Sequence, residues 1–312
     1  MSPVIVYRDG SRFAPALIES SLPGRSEISK PEKPIWVLIG GARGITGLIA
    51  KRLATRSRHI VLAGRTDDLY SDIDEGLIEF SDINALRGAI LERGLADDPP
   101  AATRMAKGIL AQKEVRRTVE DIEALGCGVS YHPLDVTDGV QVVELLASVE
   151  RLHGAIYGIV HAAGVIEDRL IADKDTHSFE RVWSAKVDGA KHLISASEKL
   201  KHIPDVLVMF GSIAGMAGNR GQCDYAAANC ALDALGKACD PRAAARVITM
   251  HWGPWAPLGD GHGGMVSPEL ARQFATQGIA MIRPELGADA FLAEIDAYTE
   301  NRYSVVYSAG GW

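Results

Sequence analysis

The feature that most restricts the fold is a recurrence of strand-length apolar runs separated by helix-length stretches. The runs are IWVLI at 35–39, HIVLA at 59–63, VSYHPL at 129–134, IYGIVH at 156–161, DVLVMF at 205–210, RVITMH at 246–251 and YSVVY at 303–307. They are too apolar for strands with a solvated face, so they read as parallel strands buried on both faces. Helical periodicity falls between them, near 44–56, 137–152, 176–200 and 222–238. This alternation predicts right-handed βαβ units in a Rossmann-like, doubly wound parallel α/β sheet of about seven strands.

Two stretches stand outside the rhythm. Residues 1–34 are broken by Pro3, Pro15, Pro23, Pro31 and Pro34 with Gly10 and Gly24. They read as a lead-in or linker with a short strand at 4–7, so the domain proper spans 35–312. Between Gly64 and Val129 lie far more residues than one crossover helix needs. Residues 66–100 are acidic and end in Asp97-Asp98-Pro99-Pro100, and 103–125 read as one long helix. The expectation is a helical insertion over 66–125 whose first part is a solvated surface decoration.

Composition narrows the function classes. With 33 Lys+Arg against 40 Asp+Glu the net charge is −7. A general nucleic-acid binder draws most of its affinity from neutralising phosphates and is usually basic, so no nucleic-acid partner is expected. No uncharged apolar run reaches the roughly 20 residues that cross a bilayer, and no membrane partner is expected. Residues 1–20 hold Arg8, Asp9, Arg12 and Glu19 and no apolar block before a cleavage site, unlike a secretory leader. Cys127, Cys223, Cys230 and Cys239 form no CxxC pair and read as reduced thiols, which suits a cytoplasmic protein. No His/Cys/Asp cluster has metal-ligand spacing.

The first apolar run leads into Gly40-Gly41-Ala42-Arg43-Gly44-Ile45-Thr46-Gly47 and then a helix. Glycines let the backbone approach a pyrophosphate, and a helix start offers free N–H groups and a positive dipole end. In the first βα unit of such a sheet this predicts a dinucleotide site. The second run ends in Ala63-Gly64-Arg65-Thr66, where an NAD site usually places a carboxylate. Arg65 and Arg43 instead suit a ribose 2′-phosphate, and the expected cofactor is NADPH, with Asp67 and Asp68 turned away.

The run at 205–210 leads into Gly211-Ser212, and Tyr225 and Asn229 follow four residues apart on one helix face. Lys186 lies on the crossover after the run at 156–161. In a doubly wound sheet ligands bind beyond the carboxyl ends of the strands, which is where Ser212 stands. With this group in view the chain resembles a short-chain dehydrogenase/reductase, and more narrowly the ketoreductase domain of a polyketide synthase or a polyunsaturated-fatty-acid-type synthase. Ordinary short-chain reductases have Tyr-x-x-x-Lys; here Asn229 takes that place and the lysine is Lys186, the exchange that marks multienzyme ketoreductases. LDVTD at 134–138, HAAG at 161–164, KVDGA at 186–190, YAAAN at 225–229 and HWGPW at 251–255 carry the same resemblance over roughly 35–310.

The resemblance implies reduction of a β-ketoacyl thioester, tethered to an acyl carrier protein, among neighbouring domains of a multienzyme synthase. Tyr225 would protonate the developing alkoxide, with a pKa of about 10 brought towards neutrality in part by Lys186, which would also bind the nicotinamide ribose. Ser212 would hold the carbonyl oxygen, and Asn229 would orient Lys186 or a relay water. Asp135 and Val136 would meet the adenine, although Asp135 also fits a helix N-cap before Thr137. Ala162, Ala163 and Gly164 would pass under the cofactor, Gly253 and Pro254 would face the nicotinamide amide, and residues 256–266, with Gly259, Gly261, Gly263 and Gly264, would form a substrate lid. His251 and Trp252 read as structural. Thr46 departs from the usual third glycine, and residues 1–34 are too short for the structural subdomain that precedes many modular ketoreductases.

Stereochemistry follows the same comparison. One ketoreductase type carries Leu-Asp-Asp after the HAAG turn; here Val165-Ile166-Glu167-Asp168 keeps the final aspartate. The other type has a tryptophan eight residues before the tyrosine, where this chain has Ala217. Asp168 is therefore the expected substrate-orienting residue and a D-configured 3-hydroxyacyl group the expected product. The alternatives are a free-standing reductase of small ketones or acyl-CoA, and a scaffold domain with a dead site. An extended-type epimerase or dehydratase would retain the Tyr-x-x-x-Lys spacing that Asn229 breaks.

Overall fold

The structure is a computed structural model that describes residues 6–13, 17–21, 32–40, 42–66, 75–258, 272, 274–276, 278–297 and 303–310. Gly41, Asp67, Asp68 and the four glycines expected in a lid lie outside the described residues. Near the start, β1 (Val6–Arg8) and β2 (Ser11–Phe13) pair antiparallel. Asp9 and Gly10 join them with φ of 50° and 76°, the left-handed pair that matches the twist of a two-residue hairpin. The strand expected at 4–7 is thus the first arm of a hairpin.

All seven apolar runs become strands of one sheet: β3 (Ile35–Ile39), β4 (His59–Gly64), β5 (Gly128–Pro133), β6 (Gly158–His161), β7 (Val206–Ser212), β8 (Arg246–Trp252) and β9 (Ser304–Tyr307). Their order is β5-β4-β3-β6-β7-β8-β9, and every neighbouring pair is parallel. The chain works outwards from β3 to one edge, then returns and works outwards to the other. The switch point lies between β3 and β6, where ligands of such sheets bind.

Side chains of β3 alternate between two cores, as the strand period of two requires. Trp36 and Leu38 pack with Ile49 and Leu53 of α1 (Gly44–Ala54), Val115 and Ile122 of α4 (Pro99–Ala124) and Phe291 of α10 (Pro284–Asp296). Ile35, Val37 and Ile39 face Leu146 of α5 (Gly139–His153), Leu193 of α7 (Gly189–Ser197) and Leu232 of α9 (Cys223–Ala238). Removing each such side chain from water contributes about 1.5–3 kcal/mol. The two edge strands depart from the expectation of burial on both faces. Gly128 and Pro133 of β5 are exposed and the residues between them half-buried, and in β9 Ser304 is exposed and Val306 and Tyr307 half-buried, because no strand covers their outer sides.

The helix expected over 176–200 is interrupted. α6 (Thr176–Trp183) passes into a single π turn, Ser184–Asp188, before α7. Such turns insert an extra residue into the helical ladder and often mark functional positions. Lys186 sits in this one.

The insertion is also more than a solvated decoration. α2 (Glu75–Ile78) and α3 (Ile83–Glu92) place Leu77, Leu86 and Ile90 against Ala102, Ala106 and Ile109 of α4, a third small core. Asp82 and Asp98 cap α3 and α4 with their carboxylates. Among the described residues no helix is long and apolar enough to cross a membrane.

Candidate active site

The glycine turn and the HAAG turn meet at the switch point. Gly40 has φ of 128°, and a Cβ there would lie 2.5 Å from the carbonyl carbon of Ala162, so only glycine fits. Ala162 N–H donates to Ile39 O at 2.7 Å, and Gly40 N–H to Ala63 O at 3.0 Å. Arg43 stands at the N-cap of α1 without capping it by its side chain. The first N–H of the helix, that of Gly44, donates instead to Glu114 Oε1 on α4 at 2.7 Å. Ile45 lies behind the turn in the core.

A cavity of about 1060 Å³ opens from this turn. Gly40, Arg43, Arg65, Asp135, Val136, Ala163 and Gly164 line it, so seven of the residues singled out for a cofactor share one cleft. Asp135 spends one carboxylate oxygen on its own loop, accepting from Thr137 N–H at 2.9 Å and from Thr137 Oγ1 at 2.7 Å. The cap of α5 is Asp138, not Asp135. Gly253 and Pro254 leave the carboxyl end of β8 outside this lining; Gly253 N–H donates to Tyr307 O and Pro254 O accepts from Ile282 N–H, each at 2.8 Å.

The four expected catalytic residues do come together. Lys186 is 4% exposed, and its Nζ donates to Phe210 O at 2.9 Å and lies 5.3 Å from the centre of the Tyr225 ring. A Cβ on Gly164 would be 3.2 Å from Lys186 Cε, which places the lysine directly beside the cleft. Burial brings its pKa down to about 8. Tyr225 is 6% exposed, and burial pushes its hydroxyl upwards, while hydrogen bonds with the Ser212 and Asn229 side chains act the other way and Asp168 adds to the rise. The expectation of a tyrosine lowered towards neutrality is therefore corrected: desolvation outweighs the two hydrogen bonds, and the phenol is held protonated. Asn229 Nδ2 donates to Tyr225 O at 2.7 Å rather than receiving Lys186, and its buried Oδ1 has no hydrogen-bond partner among the described residues. Asp168 accepts from Gln222 Nε2 on both carboxylate oxygens at 3.0 Å.

Three supporting residues escaped the sequence reading. His161, fully buried and pushed down to about 4 by desolvation, is neutral and bonds Lys186 O through Nε2 at 2.8 Å. It fixes the π turn that aims the lysine. Lys174 and Asp224 form a buried ion pair at 2.7 Å, and Asp224 Oδ1 accepts from Tyr225 N–H at 2.8 Å. His251 is structural as expected: buried, it joins Ser212 O to Asp233 Oδ1, each at 2.9 Å.

A family model described as the KR domain matches residues 35–257. The chain belongs to the KR domain family, within the short-chain dehydrogenases/reductases. It is 35% identical over 285 residues to a polyunsaturated fatty acid synthase polypeptide of Thraustochytrium sp. (strain ATCC 26185 / S-3), covering 87% of this chain and 10% of that protein. It is 26% identical over 233 residues to the polyketide synthase PksN of Bacillus subtilis (strain 168), covering 73% and 3%. A solved ketoreductase domain from the bacillaene assembly line superimposes with a TM-score of 0.68 at 26% identity, over 97% of this chain and 61% of that one. A ketoreductase from the first module of phoslactomycin biosynthesis in Streptomyces sp. HK803 shares the fold, with a TM-score of 0.73 at 24% identity, over 99% and 60%. The chain thus spans a small fraction of its synthase relatives, which carry neighbouring domains. KR domains are oxidoreductases that bind a nicotinamide cofactor. The cleft suits one: two guanidinium groups for phosphates, and small residues at Ala163 and Gly164 beside Lys186.

Proposed function

We propose that this KR domain uses NADPH to reduce a β-ketoacyl thioester, carried by an acyl carrier protein, to a D-configured 3-hydroxyacyl thioester. The observation that carries the reading is the convergence of Ser212, Tyr225, Lys186 and Asn229 beside a cleft that also holds Arg43 and Arg65. The reduced nicotinamide supplies a hydride when bound. The protein's residues handle the oxygen and the proton. The Ser212 hydroxyl donates to the keto oxygen, and Tyr225 Oη–H gives its proton to the alkoxide. An alkoxide is a far stronger base than a phenolate, so a tyrosine raised by burial still donates downhill. Lys186, charged below about pH 8, stabilises the phenolate left behind. Asn229 Oδ1 is a buried acceptor available to a lysine proton or to a water that reprotonates Tyr225.

The preference for NADPH over NADH rests on the paired arginines, and the carrier-bound substrate on the synthases among the relatives. Purified protein given NADPH and an acetoacetyl group, on a carrier protein or on free pantetheine, tests the proposal. Oxidation of NADPH with a better kcat/KM for the carrier-bound form is expected. Turnover of a small cyclic ketone alone would sink the thioester reading.

A further inference from the structure

α4 has 26 residues and so runs about 39 Å, roughly twice the length of the six-residue strands β4 and β5 that it connects. Its second half rests on the sheet through Val115, Val119 and Ile122. Its first half has no strand beneath it and packs on α3. A helix that leads into a parallel strand starts at the carboxyl edge of the sheet, so the overhang projects over the edge where the cleft opens. Met105, Gly108 and Gln112, spaced for one face of the helix, line the cavity with Arg43 and Arg65.

Gly108 is the informative residue. Glycine is the poorest helix former after proline, and this one sits in the interior of a long helix. A Cβ there would meet nothing within 4 Å, so neither the fold nor the packing of the protein itself calls for glycine. What a side chain would fill is the cleft. The helix is also braced where the overhang leaves the sheet: Lys113 Nζ donates to the carbonyls of Ile78 and Phe80, the latter at 2.7 Å, and Glu114 ties α4 to Gly44 at the glycine turn.

We propose that the insertion is a cofactor-binding element: it holds the face of α4 carrying Met105, Gly108 and Gln112 as the outer wall of the adenosine half of the site, with Gly108 at the closest approach. The assignment to the adenosine half follows from Arg43, Arg65 and Val136, which line the same cavity, and from Glu114, two residues after Gln112, which accepts from Gly44 beside Arg43. The proposal rests on the NADPH reading above, and deepens it by giving α2, α3 and α4 a task.

Titration calorimetry on the purified chain separates the two. NADPH, 2′,5′-ADP and reduced nicotinamide mononucleotide are titrated into wild type, Gly108→Ala and Gly108→Leu, with the melting temperature of each free protein measured alongside. Gly108→Ala is expected to melt no lower than wild type. Gly108→Leu is expected to bind NADPH and 2′,5′-ADP at least about tenfold more weakly, the effect of overpacking a closed contact, and the mononucleotide equally well. Unchanged 2′,5′-ADP affinity in Gly108→Leu overturns the wall. If that variant does not fold, Met105→Glu, at an exposed position, places a carboxylate on the same wall and must weaken 2′,5′-ADP, or the proposal fails. Wild type that binds no dinucleotide would overturn the cofactor reading itself, whatever the variants do.

Discussion

Lys174 Nζ lies 2.7 Å from Asp224 Oδ2, with the two side chains 5% and 1% exposed. The pair joins the loop that carries Asp168 to the residue preceding Tyr225. Lys174 also donates to the Glu167 carbonyl, and the second oxygen of Asp224 receives the Tyr225 N–H. Removing one member of a buried pair strands the other charge and costs about 3–5 kcal/mol, whereas removing both often costs little. Lys174→Met is therefore expected to destabilise by that amount in urea unfolding, and the double variant with Asp224→Leu to recover most of it. A loss in the double variant equal to the sum of the losses in Lys174→Met and Asp224→Leu alone would show that the two charges are not coupled.

Tyr225→Phe keeps the buried ring and deletes only the hydroxyl. Loss of a positioned general acid lowers kcat by about a hundredfold or more. The affinity for NADPH, measured by fluorescence titration, should stay near wild type, because the cleft residues are untouched. Turnover close to wild type would remove Tyr225 from the proton step.

The strands were legible in the sequence because a strand buried on both faces must be apolar along its whole length, and all seven runs have that character. β5 reads the same way yet is an edge strand: Val129 and Tyr131 pack on the core from half-covered positions. The convergence of the proposed catalytic group was legible because Ser212 follows a strand end, Tyr225 and Asn229 share a helix face, and the family resemblance pointed to Lys186. The π turn at Ser184–Asp188 was not, since one inserted residue leaves the apolar periodicity of the helix almost unchanged. The Lys174–Asp224 pair was equally hidden: its members are 50 residues apart, and a charged residue in a loop reads as solvated until the fold buries it. The upward shift of Tyr225 depends on desolvation, which spacing cannot reveal.

Lys186 gives the stability of the free protein a pH signature. Its pKa is about 8 when folded against 10.5 unfolded, so between those values the unfolded chain holds more protons. Stability then rises with pH across that window, by at most about 1.4 kcal/mol per unit. Tyr225 is shifted upwards and acts oppositely, but only above its unfolded value of 10. Denaturant unfolding between about pH 8 and 9.5 should show wild type gaining stability relative to Lys186→Met. Parallel pH curves for the two proteins would mean that the lysine is not desolvated.

Arg65 and Arg43 line the same cleft. A charge-assisted contact to phosphate is worth about 1.5–3 kcal/mol, roughly a ten- to hundredfold change in binding. Arg65→Ala is expected to raise KM for NADPH by that factor and to leave KM for NADH almost unchanged. An unaltered ratio between the cofactors would move the 2′-phosphate contact to Arg43.

Under the proposed function, Asp168 selects the face of the ketone that is reduced. Both of its carboxylate oxygens accept from Gln222 Nε2, one residue before α9, and its charge is felt at Tyr225. The neighbouring Glu167 is engaged elsewhere, accepting from Nε and Nη2 of Arg181 at 2.6 Å each, which leaves Asp168 as the acid of this pair whose charge acts on Tyr225. A carboxylate fixed in this way gives a passing amide N–H of a pantetheine arm one side on which to bind. Asp168→Ala removes the anchor, while Gln222→Ala leaves the carboxylate present but free to rotate. Chiral chromatography of the 3-hydroxyacyl product should therefore show a D-configured excess for wild type, the largest loss of that excess for Asp168→Ala and a smaller loss for Gln222→Ala. The phenol of Tyr225 remains in both, so kcat should fall less than selectivity does. An L-configured product from wild type, or undiminished selectivity in Asp168→Ala, would show that this loop does not choose the face.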